Sequence, residues 1–131
     1  RPSSPTCIGR IGSRLFFLRP GNPVGCLAAY EFFAGPSIRA MGGRARVWPH
    51  RRALVPLGRK ISSEVGRTDY VRVAIEEGRA IPLATSGASI LSSTVRAAGA
   101  VLVPRELEGM PEGQSVEVLL YDEEFPVERD P

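Results

Sequence analysis

Proline and glycine decide first what this chain is able to build. Twelve prolines and fourteen glycines are spread through 131 residues. Proline fixes φ and removes a backbone donor, and glycine loses the most conformational freedom on ordering. A chain so punctuated makes short elements joined by many turns, which excludes a long helical bundle. Apolar residues make up 43%, enough for a core, and the length suits one ordinary domain or two very small ones. No apolar run reaches the roughly 20 residues that a membrane helix needs, so no membrane partner is expected. The chain opens at Arg1 rather than Met, which reads as a piece of, or a product processed from, a longer protein.

Between those breaks the apolar pattern uses two periods. Cys7–Ile11 and Arg14–Leu18 read as short strands about a turn at Gly12-Ser13. Arg14–Leu18 (RLFFL) is a continuous apolar run, the pattern of a strand buried on both faces in a helix-covered parallel sheet. Asn22 then serves as an N-cap and Pro23 as the first helical residue. Val24, Leu27, Ala28, Phe32, Ile38 and Met41 form a helix-spaced stripe. Pro36 should interrupt that helix near Phe33–Gly35, and Gly42-Gly43 should end it.

Past Gly43 the period shortens. Arg44–Pro56 alternates loosely and Tyr70–Ile75 alternates well. Ala80–Ala84 follows a Glu77-Gly78 turn, which predicts a hairpin over 69–84. A short helix over about Ser89–Ala97 and strands at Gly99–Val103 and Val116–Leu120 follow, with an acidic, glycine-rich loop at Glu106–Gly113. The expected organisation is α+β: a strand–turn–helix piece over 1–43, a small mostly-β domain over 44–122, and an acidic tail over 123–131 that frays.

Charge is divided more sharply than its total of +3 implies. Residues 1–60 carry eleven Lys/Arg against the single acid Glu31, a balance of +10. Residues 61–131 carry six arginines against thirteen acids, a balance of −7. A basic front half suits an anionic partner, and it equally suits two halves that face each other or solvent. Nucleic acid is the poorest of the anionic partners here, because Trp48 and Tyr70 are too few and too far apart for a base-stacking face. Cys7 and Cys26 lie in no C-x-x-C pair and His50 is the only histidine, so no zinc site is expected and both thiols should be free.

Three segments could hold an anion. Pro20-Gly21-Asn22-Pro23 sets a glycine and a helix start directly after a strand, where helix N–H groups and a partial positive charge would be on offer. An ordinary strand-to-helix connection has the same residues. Ser86-Gly87-Ala88-Ser89 with Ser92-Ser93 offers hydroxyls and amides, or a plain capped turn. Arg67 and Arg72 bracket the start of a strand, and arginine suits bidentate phosphate contacts. Arg72 alternates with Val71 and Val73, which places it on a solvent or groove face. No P-loop, no H-E-x-x-H and no G-x-S-x-G occurs.

These segments together resemble the molybdopterin molybdotransferases, the family that includes the C-terminal domain of gephyrin. Leu18–Val24 followed by Ala28–Pro36 resembles the family's L-P-G-N-P-V-S motif and its F-E-x-F-x-x-P helix. Gly66–Val73 resembles its G-R-T-[DE]-[FY]-x-R-[VG] segment, and Ser86–Ser93 resembles its serine-rich segment. Gly109–Val118 matches the loop and strand that close the family's last domain, so the likeness runs in order over about 1–121. It departs at Arg19, Gly25 and Ala98, and at Ser4, where the family's K-P-G-K-P loop has its second lysine.

The resemblance implies the end of an α/β molybdopterin-binding domain followed by a barrel-like β-domain. It implies insertion of molybdate into adenylylated molybdopterin by the parent protein, in the cytoplasm, as a homodimer, with magnesium assisting. The substrate-binding residues it implies are Arg1, Ser4, Pro20, Gly21, Asn22, Pro23, Arg67, Ser86 and Ser89. The family's magnesium-binding and catalytic carboxylates align upstream of Arg1, so no catalytic or metal-ligating residue is assigned within the chain. On its own the chain is expected to be inactive. The alternative that the resemblance leaves open is a non-catalytic module that binds pterin, nucleotide or peptide.

Overall fold

The computed structural model describes residues 5–83 and 96–121. It divides into two compact units, Arg1–Pro49 and His50–Pro131. The expected helix over Ser89–Ala97 and the acidic tail lie outside the described residues, Arg96 and Ala97 apart.

The first unit starts with strands β1 (Cys7–Ile11) and β2 (Arg14–Leu18), which pair antiparallel with Cys7 opposite Leu18 and Ile11 opposite Arg14. Gly12 turns the chain at φ 59°, a left-handed backbone that glycine adopts without a Cβ clash. Among the described residues RLFFL thus pairs antiparallel with β1, and not in the parallel, helix-covered sheet that its apolar run predicts. Its only partner among the described residues is β1, and only Phe17 is partly shielded. A continuous apolar run specifies a strand but not what lies against it.

Helix α1 (Pro23–Ala29) runs into a π-helical segment (Tyr30–Ala34) and then helix α2 (Gly35–Met41). The interruption falls where Pro36 demands it. A proline has no N–H for the carbonyl four residues back, and its ring crowds that carbonyl. The chain widens by one residue per turn instead, and the Gly35 N–H reaches the Tyr30 carbonyl. The buried face consists of small residues, Val24, Gly25, Ala28, Ala29, Ala34 and Gly35. Leu27, Ile38 and Met41 of the expected stripe are exposed. For Ile38 and Met41 the wide turn accounts for this, because it shifts the angular register of the second half of the stripe away from a single period of 3.6; Leu27 lies before that turn. Trp48 fastens the following segment to the helix: its Nε1–H donates to the Glu31 carbonyl, and its ring meets Phe32 edge-on at 5.2 Å.

The second unit is mostly β. Strands β3 (Arg51–Pro56), β5 (Asp69–Glu76), β6 (Arg79–Pro82), β7 (Gly99–Val103) and β9 (Ser115–Leu120) form one antiparallel sheet in the order β3-β9-β7-β5-β6. A single bridge between Leu57 and Ala80 joins its two edges, so the sheet curls into a half-barrel. Strands β4 (Ile61–Ser62) and β8 (Gly109–Met110) make a separate two-stranded pair. β8 lies within the expected Glu106–Gly113 loop, since two residues are too short for any period to show.

The β5–β6 hairpin turns at Glu77-Gly78, with φ of 51° and 71°, a conformation in which both central residues are left-handed. Inside the curl, Val55, Leu57, Val71, Val73, Val101, Val103, Val116, Val118 and Leu120 pack with Ala53, Ile61 and Ala80. The valines suit this place because a β-branched side chain is already stiff at χ1 and packs well on a pleated surface. Proline is tolerated in β3 because Leu57 N–H and C=O both turn to the residues just before β9, bonding Gln114 and Gly113. By alternation Pro56 faces the other way, where β9 needs no donor from it.

Candidate functional site

In the first unit the turn Pro20–Pro23 forms as the sequence suggests, but its chemistry differs. Asn22 is extended at φ −63°, ψ 127°, and its side-chain Oδ1 accepts from the Val24 N–H at 3.0 Å and the Gly25 N–H at 3.3 Å. Cys26 N–H bonds the Asn22 carbonyl at 2.8 Å, and Pro23 has no N–H. The helix-start donors that were expected to await an anion are thus already taken by the cap. What the turn leaves open is Gly21. A Cβ built there would meet nothing within 4 Å, so its glycine identity answers to no neighbour in the described chain. Arg19 and Asn22 are exposed beside it.

In the second unit Arg67 is exposed, just past the turn at Val65-Gly66 that leads into β5. That turn is anchored by the Gly66 N–H donating to the Arg105 carbonyl at 2.7 Å. Nearby, the Ser63 hydroxyl donates to the Asp69 carboxylate at 2.6 Å, holding the half-buried loop to the first residue of β5. The structure therefore brings Pro20, Gly21, Asn22 and Pro23 into one turn and sets Arg67 in the other unit. Arg1, Ser4, Ser86 and Ser89 lie outside the described residues.

Arg72 overturns its expected place. It is 1% exposed and is the largest fully buried side chain among the described residues. It stands on the sheet face opposite the valine core, in register with Ala100 on β7 and, through it, Leu119 on β9. Tyr70 and Ala74 on the same face of β5 are buried too. Burial pulls the guanidinium pKa down, because desolvation disfavours the charged form; the nearby Tyr121 and Tyr70 pull it back up. Arginine nevertheless stays protonated at any ordinary pH. The Tyr70 and Tyr121 hydroxyls share a hydrogen bond, and Tyr121 meets His50 edge-on at 5.8 Å. Sequence reading missed this cluster. Alternation separates Arg72 from its valine neighbours but does not say that the second face is covered as well.

Other features are plain. Cys7 and Cys26 are free. Among the described residues no group of three or more His, Cys, Asp or Glu could share a metal ion. No described helix is long and apolar enough to cross a membrane.

Comparison with known proteins adds what geometry alone leaves open. The family model for the MoeA C-terminal region (domain IV) matches residues 55–121. A putative molybdopterin biosynthesis protein of Methanocaldococcus jannaschii is 31% identical over 121 residues, covering 92% of this chain and 28% of that protein. A molybdopterin molybdenumtransferase of Bacillus subtilis is 29% identical over 129 residues, covering 95% of this chain and 30% of that protein. The crystal structure of a molybdopterin biosynthesis protein from Pyrococcus horikoshii is similar over 93% of this chain and 30% of its own, with TM-score 0.76 and 31% identity. The chain thus spans under a third of the length of each of these relatives.

Proposed function

The chain belongs to the MoeA family, matching its C-terminal region, and from that premise we propose that it is the C-terminal part of a molybdopterin molybdotransferase. Membership places it in molybdenum cofactor biosynthesis. The finer reading is that the parent protein inserts molybdate, as substrate, into adenylylated molybdopterin, working in the cytoplasm as a homodimer. The observation that carries this is the likeness to one solved chain across 93% of this sequence, both units included.

In this reading the chain binds and orients an anionic substrate. Pro20 and Pro23 fix the backbone on either side of Gly21, and the open side of Gly21 lets a ligand approach the main chain closely. Asn22 acts as the helix cap that holds this turn in shape. In the second unit, exposed Arg67 separately offers a guanidinium to phosphate or molybdate oxygens; Arg1, Ser4, Ser86 and Ser89 enter this reading through the family resemblance alone. Fixed donors of this kind stabilise charge that develops on a transferring oxyanion. Magnesium takes several oxygen ligands. Among the described residues no cluster fits it, and in this reading its ligands come from other parts of the parent protein.

Calorimetry of this chain with molybdopterin tests the binding role. Saturable heat that weakens with added salt is the expected result, and no heat at high concentration of both would sink it. The second reading, a binding module without catalysis, gains support from one observation: the α1 amides are occupied by Asn22, so the turn offers fewer donors to a reacting anion.

A further inference from the structure

The two edges of the half-barrel are not alike. Leu57 turns its N–H and C=O to Gln114 and Gly113 at the start of the β9 side, and Gly58 N–H turns away to the Ala80 carbonyl on β6 at 2.9 Å. Alternation along β3 then directs Ala53 and Val55 to β9, and Arg52 and Leu54 outward. Among the described residues, β3 pairs on that outer side only through the bridge at Leu57. The backbone donors and acceptors of Arg52 and Leu54 therefore line an open edge. Leu54, in the middle of it, is 76% exposed.

The opposite lip differs. Leu83 N–H is bonded to the Arg72 carbonyl at 2.9 Å, so Leu83 and Ile81 face β5 while Ala80 and Pro82 face outward. Ala80 is used by the bridge, and Pro82 has no N–H to give. A proline at this position blunts an edge against further pairing. The slot between the lips is therefore donor-poor on β6 and open on β3.

Charge marks the same place. Arg52 on β3 is half-exposed beside Glu117 at 2.8 Å. At the closed end, Arg59 and Lys60 follow Gly58, and a Cβ built on Gly58 would touch the Arg79 side chain at 3.3 Å. Arg59, Lys60 and Arg79 are all exposed, and no ion pair engages them among the described residues. Cations at an edge repel a second copy of the same edge, and they suit a strand that carries carboxylates.

We propose that the outer edge of β3 is a docking site for an extended acidic segment of a separate protein, which adds as a strand beside Arg52–Leu54. Main-chain hydrogen bonds supply the pairing, Leu54 gives an apolar contact at its centre, and Arg59, Lys60 and Arg79 select acidic sequences. This proposal does not depend on the transferase reading.

Nuclear magnetic resonance of the full chain, titrated with a synthetic peptide of alternating glutamate and valine, tests it. Amide shifts should concentrate at Arg52–Val55 and Gly58, with binding that weakens by about tenfold between roughly 50 and 300 mM salt. A lysine–valine peptide should bind at least about tenfold more weakly, as should the acidic peptide with the triple variant Arg59→Glu, Lys60→Glu, Arg79→Glu. Leu54→Pro removes the outward N–H and should abolish binding, while Leu54→Thr keeps it. Because the proline variant could fail to fold, the triple charge variant stands as the independent check. Equal binding of the two peptides, or shifts elsewhere than β3, overturns the proposal. So does slow hydrogen exchange at Arg52 and Leu54 in the free full chain that is lost on truncation after Tyr121. That result would mean the edge is already filled by this chain's own residues.

Discussion

Asn22 accepts two helix N–H groups at once, at 3.0 and 3.3 Å, and the size of that contribution is measurable. Replacing a capping asparagine with alanine costs about 1 kcal/mol, so Asn22→Ala should lower the midpoint of the transition followed by Trp48 fluorescence. Trp48 is the only tryptophan and packs on Phe32 in the same unit. Asn22→Asp should hold the midpoint, since its carboxylate keeps the acceptor. Arg72 presents the opposite case, a charge held in the fold rather than at its surface. Arg72→Ala leaves a cavity beside the paired Tyr70 and Tyr121 hydroxyls, and should destabilise by about 3 kcal/mol or more in urea unfolding. Arg72→Met refills the space without the charge and should recover at least about half of that loss. If alanine and methionine cost the same, the volume of Arg72 is not what matters.

At the scale of elements, a glycine inside the sheet and one just past its edge strand should respond very differently to one methyl group. A Cβ on Gly99 would collide with the Leu119 carbonyl oxygen, which the β7–β9 pairing holds in place. A Cβ on Gly58 would meet first the terminal Cδ1 of Ile81, a side-chain end and not backbone. Gly99→Ala should therefore cost about 2–3 kcal/mol and Gly58→Ala under about 1 kcal/mol by chemical denaturation. The π-helical segment makes a second element-scale case. Pro36→Ala restores a donor at the break, and it should raise the helical signal in far-ultraviolet circular dichroism, by up to about one added turn's worth of residues. An unchanged spectrum would show that the wide turn is set by the packing of Ala34 and Gly35 and not by the proline.

At the scale of the whole molecule, the chain covers only 30% of the Bacillus subtilis relative. A chimera in which this chain replaces the matching C-terminal part of that protein should insert molybdate if the proposed function holds. In the chimera, Arg67→Ala should raise KM for the anionic substrate by about tenfold with a smaller effect on kcat, as expected for a ground-state contact. A chimera that binds molybdopterin but never turns over would favour the binding-module reading. The sequence by itself determined more than the element order. The Pro-Gly-Asn-Pro turn and its cap, the proline break in the helix, the Glu77-Gly78 hairpin and the strands around Tyr70, Val101 and Val118 all follow from local backbone preferences and short-range periods. Four separated motifs in order were enough to resemble the family that residues 55–121 then matched. Only the tertiary structure decided what covers each face. It buried Arg72 where alternation placed it in the open, exposed RLFFL where an apolar run pointed inward, and paired Gly109-Met110 with Ile61-Ser62. A local period reports which side of an element a residue occupies; which sides become buried depends on strands that meet across tens of residues of chain.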